Sequence, residues 1–445
     1  MTTLHEAGRT GRTAAVLRKD DLHGSLSDPV LDTMNFLNEV TARYPGAISF
    51  APGRPFDGLF DVEQIFSSIR GYLDHLAAEG RSPAEIKDAV FQYGPAGGRI
   101  REVIAQWLRR DEGIDVAPES IVVTVGAQEA IVLALRALIR DSGDALFVSS
   151  PCYVGITGAA RLLDIEPVPV AEHDDGFHPE DLTRAVRAEQ RRGRRPRAFY
   201  VVPDHTNPSG VTMSEVARHA LLDLADELDL LVLEDSPYRL VSPGRQLPTL
   251  KALDRRHRVV HLGSFSKTLF PGARVGFAIA DQPVADAAGR TGLLADELSK
   301  IKSMVTVNTS PLSQAAVGGM LLAAEETATP AAGRSPAHYG ATMRRTLDRL
   351  GEFLPARLRD ATGVHWNKPT GGFFLAMTVP FEAGIAALTR SAEEYGVIWT
   401  PMSYFYPTGG GEHGIRLSIS YLTPEQIDEG VARLARFVTA EASRL

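Results

Sequence analysis

The sequence predicts an α/β protein with a mostly parallel sheet flanked by helices, followed by a smaller α+β domain. Short apolar runs alternate with helical patterns through the middle of the chain. Strands that are apolar throughout are typical of parallel sheets with helices on both faces. The strands are predicted at residues 121–125, 145–148, 198–202, 230–233, 259–262 and 275–280, and helices at 128–139, 178–187 and 215–228.

Length and composition favour two domains. A chain of 445 residues is long for one core, and an Ala/Glu/Thr/Pro-rich stretch at 323–336 precedes a long helical pattern at 341–354. We predict an N-terminal arm and part of the small domain at 1–65, the large domain at 66–330 and the C-terminal small domain at 331–445. Residues 1 to about 20 are expected to form a mobile arm, before a first helix at 29–40.

Charge and hydropathy exclude several classes of protein. The formal net charge of −8 disfavours nucleic acid or an anionic membrane as the main partner. No apolar stretch approaches the ~18 residues that a membrane span needs, and the N-terminal segment lacks the apolar core of a secretory signal. Cys152 is the single cysteine, so no intrachain disulfide is possible. We therefore expect a cytoplasmic protein without nucleic-acid or membrane partners.

The most informative segment is the loop at 264–276. It combines Lys267 with Ser264, Ser266 and Arg274, directly after the apolar run 259–262. A lysine acts as a nucleophile when it forms a Schiff base with a carbonyl cofactor, usually pyridoxal phosphate. The phosphate of that cofactor needs hydroxyl donors and a cation. Taken alone, the loop also fits a solvated lysine between two serines.

Polar residues also follow other predicted strands, where ligands bind on parallel sheets. The 126–128 turn opens a helix, whose N-terminus can hold a phosphate. Asn207 can donate to a phenolate-type oxygen, and so can Tyr238. The carboxylate of Asp235 would be costly to bury unless a group such as a protonated pyridine nitrogen pairs with it. The alternative for the 126–128 turn is an ordinary βα turn. For Asn207 it is a polar turn residue before proline, and for Asp235 it is a helix N-cap.

Two further side chains complete the candidate set. Tyr153 follows a strand and can place its ring against a planar ligand, although ordinary packing would also explain it. Arg416 lies in the alternating run 414–420, where an inward guanidinium suits a bidentate substrate carboxylate. The alternative for Arg416 is a strand residue that faces solvent.

Taken together, these motifs resemble the fold-type I pyridoxal-phosphate enzymes of the class I/II aminotransferase family. The matching elements are the Asn-Pro-Ser-Gly turn at 207–210, Asp235 with Tyr238, the Ser-x-Ser-Lys loop with Arg274 seven residues on, and Arg416. They occur in the family's order across roughly 48–438. The resemblance implies an aspartate aminotransferase-like fold with a seven-stranded sheet, pyridoxal 5′-phosphate as cofactor, and no metal.

The resemblance also implies a role for each site residue. Lys267 would form the Schiff base, with Asp235 at the pyridine nitrogen and the ring oxygen between Asn207 and Tyr238. The implied phosphate cup is Gly126, Ala127, Gln128, Ser264, Ser266 and Arg274, with Tyr93 reaching the phosphate of a neighbouring subunit in a homodimer. Tyr153 would stack on the ring, and the implied substrate contacts are Gly53, Asn207, Phe405 and Arg416. Ala127 departs from the Ser or Thr of many relatives, so one phosphate donor is missing.

The predicted reaction is amino transfer between an amino acid and a 2-oxo acid. The lysine loop resembles the branch that contains aminoadipate, kynurenine and aromatic aminotransferases. Segments 23–29 and 34–40 are similar to the dihydroxyphenylglycine transaminase-like branch, which makes nonproteinogenic amino acids for peptide antibiotics. Aromatic residues at 402–406 favour an aromatic or arylglycine-like substrate over a dicarboxylate, which would require a second cation.

Three alternatives to that reaction stay open. One is another pyridoxal-phosphate reaction on the same scaffold, by an oxidase or a lyase. The second is a broad aromatic or 2-aminoadipate aminotransferase. The last is a regulator that senses pyridoxal phosphate, but this requires a DNA-binding module, and the residues before Ile48 show no basic helix-turn-helix pattern.

Overall fold

The computed structural model describes residues 16–173, 176–244, 246–327 and 331–445, with the backbone alone at 32–38. The α-helices are α1 Pro29–Arg43, α2 Val62–Ala78, α3 Pro83–Phe91, α4 Arg101–Trp107, α5 Gly126–Leu138, α6 Val154–Leu162, α7 Pro179–Arg191, α8 Glu215–Glu227, α9 Leu250–Leu253, α10 Leu294–Val305, α11 Pro311–Glu326, α12 Ser335–Phe353, α13 Ala356–Thr362, α14 Ile385–Glu394 and α15 Pro424–Ala442. The strands are β1 Ile48–Ser49, β2 Ile121–Thr124, β3 Asp144–Ser150, β4 Pro167–His173, β5 Gly176–Phe177, β6 Arg195–Val201, β7 Leu231–Asp235, β8 Val259–Ser264, β9 Gly276–Ile279, β10 Pro283–Ala285, β11 Thr291–Leu293, β12 His365–Trp366, β13 Phe374–Thr378, β14 Val397–Ile398, β15 Thr400–Pro401 and β16 Gly414–Ser418.

The large sheet has the strand order β2-β9-β8-β7-β6-β3-β4-β5. Strands β8, β7, β6, β3 and β4 run parallel to one another, and β9 runs antiparallel to both of its neighbours. All six predicted strands are present, and their central residues are almost entirely buried. This confirms the predicted α/β class, because apolar runs of this kind need helices on both faces.

The sheet has eight strands rather than the predicted seven. The additional strand β5 is two residues long and pairs with the end of β4, so its pattern is too short to recognise in the sequence. The sequence analysis also did not identify β4, which contains Pro167 and Pro169. Proline cannot donate to a strand ladder. Strand β4 tolerates both prolines because β5 pairs only with its residues Glu172 and His173, which leaves one side of β4 unpaired at the prolines.

A second, antiparallel sheet has the order β12-β13-β16-β15. Strand β1 pairs with β14 through Ile48 and Val397, so the segment after α1 packs with the C-terminal part of the chain. A buried cluster that includes Phe50, Trp399 and Phe437 lies between this region and helices α12 and α15. The division into domains at 65/66 and 330/331 stays a prediction. Most of the expected N-terminal arm, and the side chains at 34–38, lie outside the described residues.

The fold brings several strand ends to one edge of the sheet. The carboxyl ends of β3, β6, β7 and β8 all meet there, because these strands are parallel neighbours. The loops that contain Tyr153, Asn207, Asp235 and Lys267 begin at these ends or close after them. Among the described helices, none is both long and apolar enough to cross a membrane.

Candidate active site

A cavity of about 360 Å³ lies at this edge of the sheet and extends to the second sheet. It brings together twelve of the residues that were predicted from the sequence. These are Gly53, Ala127, Gln128, Tyr153, Asn207, Asp235, Tyr238, Ser264, Ser266, Lys267, Arg274 and Arg416. They come from segments that are far apart in the chain, so only the parallel sheet and its packing against β16 can assemble them.

Lys267 extends into the cavity from the loop after β8. Its Nζ donates a hydrogen bond of 2.9 Å to the carbonyl oxygen of Gly53. Removal from water lowers the pKa of Lys267 to about 8, and the neighbouring Arg274 acts in the same direction. Lys267 therefore has a substantial neutral amine fraction at mildly alkaline pH, which is what a nucleophilic or proton-accepting lysine requires.

Asp235 ends strand β7 and is 2% exposed. Its Oδ2 accepts a hydrogen bond of 2.6 Å from the hydroxyl of Tyr200, whereas Oδ1 has no hydrogen-bond partner within the described ranges. Burial raises the pKa of Asp235 to about 6, and the hydrogen bond from Tyr200 opposes this rise. A buried carboxylate oxygen without a partner is rare, so Oδ1 is able to accept a hydrogen bond from a ligand.

The residues predicted as a phosphate cup lie at the start of α5 and beside Arg274. The Nη1 of Arg274 donates to Ser266 Oγ at 3.0 Å. Gly126 has φ +74°, and a Cβ there would lie 2.5 Å from Nη2 of Arg274. Gly126 does not itself line the cavity; it allows the guanidinium to approach the helix N-terminus. The side-chain amide of Gln128 donates a hydrogen bond of 2.9 Å to Gly155 O. An anion at the start of α5 would therefore bind to the backbone N–H of Gln128.

Arg416 is 2% exposed and has no carboxylate partner within the described part of the chain. Its guanidinium donates to Asn207 Oδ1 at 2.9 Å, to Thr400 Oγ1 at 3.2 Å and to Ala51 O. Burial lowers the pKa of Arg416 to about 10. A buried cation without an anion is unfavourable, so Arg416 is able to pair with a carboxylate of a ligand.

Aromatic side chains surround these polar groups. Tyr238 is buried against Phe373 and Phe374, with ring centroids 5.3 and 5.6 Å away. Tyr153 lines the cavity, and burial raises its pKa to about 12. A Cβ on Gly53 would lie 2.7 Å from the Phe374 ring, so glycine allows the close approach of this loop to the cavity floor.

Besides Gly126, two predicted residues do not line the cavity. Phe405 is 1% exposed and lies behind Arg416, with the guanidinium 4.8 Å from its ring centroid. It can therefore support Arg416, and its expected contact with a substrate stays a prediction. Tyr93 is 82% exposed and lies outside this cavity. Its expected contact with a neighbouring subunit stays a prediction.

Two polar residues that line the cavity, and one that supports Asp235, were missed in the sequence. Tyr200 lies in an apolar run, which gives no indication of a polar role. Thr41 and Arg54 line the cavity, and the guanidinium of Arg54 lies 4.0 Å from the centroid of the Tyr421 ring. The position of Arg54 directly after the candidate Gly53 was the one sequence feature that could have indicated a residue of the site.

Comparison with known families shows to which family the chain belongs. The sequence profile of "Aminotransferase class I and II" matches residues 71–434. The chain belongs to this family. Aminotransferases of class I and II depend on pyridoxal phosphate, so the family and the enzyme class predicted from the sequence, a pyridoxal-phosphate-dependent transaminase, are confirmed.

The aminotransferase is similar to characterised relatives over nearly its whole length. It is 47% identical over 425 residues to (S)-3,5-dihydroxyphenylglycine transaminase of Amycolatopsis orientalis, covering 95% of each chain. It is 32% identical to 2-aminoadipate transaminase of Thermus thermophilus, covering 91% of this chain and 93% of the relative. A multiple substrate aminotransferase from Thermococcus profundus has a similar structure, with a TM-score of 0.80 and 28% identity over 96% of this chain and 99% of the other.

Proposed function

We propose that this aminotransferase moves an amino group between an aromatic or arylglycine-like amino acid and a 2-oxo acid, with pyridoxal 5′-phosphate as its cofactor. The observation that carries the proposal is the single cavity lined by Lys267, Asp235 and Arg416. It places an amine of lowered pKa, a buried carboxylate and a guanidinium without a carboxylate partner in the described residues around one small space.

The cavity residues fit the proposed cofactor. Oδ1 of Asp235 needs a donor, which a protonated pyridine nitrogen provides. Arg274, Ser266 and the N-terminus of α5 form a cationic, donor-rich place for a phosphate. Ala127 supplies no hydroxyl there, so backbone N–H groups at the start of α5 would provide the missing donor. When bound, pyridoxal phosphate supplies an aldehyde that accepts the amino group and a ring that withdraws electrons.

The protein's own groups then have separate tasks. Arg416 binds the substrate α-carboxylate bidentately and orients Cα toward Lys267. Nζ of Lys267 in its neutral form accepts the proton from Cα and later returns one as the conjugate acid. Asp235 would hold the ring nitrogen of the cofactor as an ionised carboxylate, and Asn207 and Tyr238 would hold its ring oxygen as hydrogen-bond donors. The apolar walls formed by residues such as Phe374 and Val202 limit the access of water.

The substrate proposal is supported by the 47% identical relative, whose name specifies an arylglycine. Arg54 changes one part of the expectation. It is a cation at the cavity in addition to Lys267, Arg274 and Arg416, and it has no carboxylate within ion-pair distance in the described residues. It favours a second substrate with a distal carboxylate, in line with the 2-aminoadipate relative. We therefore propose an aromatic amino acid on one side of the exchange and a dicarboxylic partner on the other.

The proposal extends to assembly and context. We propose a homodimer in which Tyr93 reaches the neighbouring subunit's phosphate site. The exposed apolar side chains of Phe91 and Met304 support the presence of a subunit interface. We also propose a cytoplasmic location and a role in making nonproteinogenic amino acids for antibiotics. Oxidase or lyase chemistry in the same cavity is the competing hypothesis.

The test is an absorbance titration of the purified enzyme with single amino acids in the absence of an oxo acid. The panel contains arylglycines, aromatic amino acids, aminoadipate, glutamate and arginine. We expect the cofactor's visible band to disappear with one equivalent of 2-oxo acid released, most readily for an arylglycine. Oxygen consumption without an acceptor would instead establish the oxidase. Lys267→Ala is the matched control and should release no oxo acid.

A further inference from the structure

The Tyr200–Asp235 hydrogen bond follows from the register of two strands. Tyr200 on β6 is paired with Leu233 on β7. Because side chains alternate along a strand, Asp235 points to the same face as Leu233, one step diagonally from Tyr200. Glu234 points to the other face, where it accepts hydrogen bonds from the backbone of Leu250 and Lys251. Tyr200 is therefore aimed at Asp235 by the sheet itself.

The hydrogen bond gives the two carboxylate oxygens of Asp235 different surroundings. Oδ2 is satisfied by the Tyr200 hydroxyl at 2.6 Å, while Oδ1 is buried without a partner on a residue that lines the cavity. Rotation of the carboxylate would break the bond to Tyr200. The phenol thus holds Oδ1 in the direction from which a ligand's donor must come.

The phenol also opposes neutralisation of the carboxylate. Asp235 is buried, which favours its uncharged form, and a donor to the charged form acts against this. Of its other titratable neighbours, His261 and Lys267 favour ionisation of Asp235, and Glu234 disfavours it. Burial and the nearby Asp235 raise the pKa of Tyr200 well above its usual value. Tyr200 therefore keeps its proton and stays a donor throughout the working pH range.

We propose that Tyr200 is a positioning residue for the cofactor: its hydroxyl keeps Asp235 ionised and oriented so that Oδ1 pairs with the protonated ring nitrogen. The inference rests on the proposed cofactor. Tyr200 itself is 1% exposed and does not line the cavity, so it acts through Asp235 rather than by touching the ligand.

The test compares two ligands that differ only at the ring nitrogen. Apoenzyme is titrated with pyridoxal phosphate and with its carbocyclic analogue, which has C–H in place of the ring nitrogen. For Tyr200→Phe we expect affinity for pyridoxal phosphate to fall about tenfold to a hundredfold, as for a lost hydrogen bond to a charged group, with affinity for the analogue unchanged. The acid limb of pyridoxal-phosphate binding should also move to higher pH, since Asp235 is protonated more readily.

Tyr339→Phe is the matched control. Tyr339 is also fully buried, and this substitution also removes one hydroxyl. That hydroxyl accepts a hydrogen bond of 3.0 Å from the Phe56 N–H, outside the cavity. It should alter neither ligand's affinity. Equal weakening of both ligands by Tyr200→Phe would identify Tyr200 as a packing residue and overturn the proposal. Unchanged binding of both would overturn it as well.

A second comparison covers the case in which Tyr200→Phe folds poorly because its buried carboxylate lacks a donor. Asp235→Asn is compared with Tyr200→Phe/Asp235→Asn, since neither carries that carboxylate. The proposal requires the two to bind pyridoxal phosphate with nearly equal affinity, and a tenfold further loss in the double variant would overturn it. Failure of the parent protein to bind pyridoxal phosphate would refute the proposed function instead, so the two failures are distinguishable.

Discussion

Replacing Arg416 with lysine keeps a positive charge in the cavity but removes the planar fork that a carboxylate matches. Arg416 already donates to Asn207, Thr400 and Ala51, which fixes its orientation toward the cavity. Lysine presents one point charge on a flexible stem and cannot make two parallel bonds to a carboxylate. Arg416→Lys should therefore weaken substrate binding while leaving the cofactor in place.

The expected magnitude follows from the loss of one hydrogen bond between charged groups. Such a bond contributes about 1.5–3 kcal/mol, and about 1.4 kcal/mol corresponds to a factor of ten. The value of kcat/KM for the amino acid should fall about tenfold to somewhat more than a hundredfold. The buried position of Arg416 places the effect toward the larger end, because water does not replace the lost contact.

The assay is stopped-flow absorbance with the best amino acid of the substrate panel. An amine with the same side chain but no α-carboxylate serves as a second substrate, and its rate should not fall with Arg416→Lys. Arg359→Lys is the control variant, because Arg359 also stacks on an aromatic ring, Trp366, at 5.1 Å but does not line the cavity. If Arg416→Lys keeps kcat/KM for the amino acid within threefold of the parent at equal cofactor content, the carboxylate role is wrong.

Three further predictions concern the cofactor site and its support. The pKa of about 8 for Lys267 predicts that apoenzyme takes up pyridoxal phosphate faster as pH rises, by about tenfold per unit below pH 7, with a plateau above about pH 9, because only the neutral amine reacts. Gly126→Ala places a Cβ 2.5 Å from Arg274 Nη2 at φ +74°, so equilibrium titration should show pyridoxal-phosphate affinity reduced about tenfold. Lys302→Met leaves the buried Glu129 without its cation, 2.7 Å away, and urea titration should show unfolding free energy lowered by about 3–5 kcal/mol.

Each of these predictions has a contradicting result, and the two substitutions also have control variants. A reconstitution rate that is flat from pH 6 to 9 would contradict the lowered lysine pKa. Gly113→Ala also has a positive φ but meets no atom within 4 Å, so it should leave cofactor affinity unchanged; equal losses in both variants would point to general strain. Lys300→Met removes an exposed lysine and should change stability by no more than about 0.5 kcal/mol. A similarly small effect of Lys302→Met would mean that the buried ion pair is dispensable.

Much of the architecture could be predicted because it is determined by local patterns. The apolar runs of β3, β7 and β8 identify buried strands, and the order of motifs around Lys267 and Asp235 is typical of one enzyme family. Each such signal lies within a few consecutive residues. The sequence by itself therefore determined the α/β class, the aminotransferase family and most of the residues that line the cavity.

Tertiary structure decided which side chains meet. Tyr200 and Asp235 are 35 positions apart, and their hydrogen bond depends on a strand register that neither segment reveals alone. Arg54 becomes a further cation of the site only because its loop packs against the cavity, and Phe405 packs against the Arg416 guanidinium without lining the cavity. Local composition specifies helices and strands, whereas the direction of a side chain depends on packing between segments that are distant in the chain.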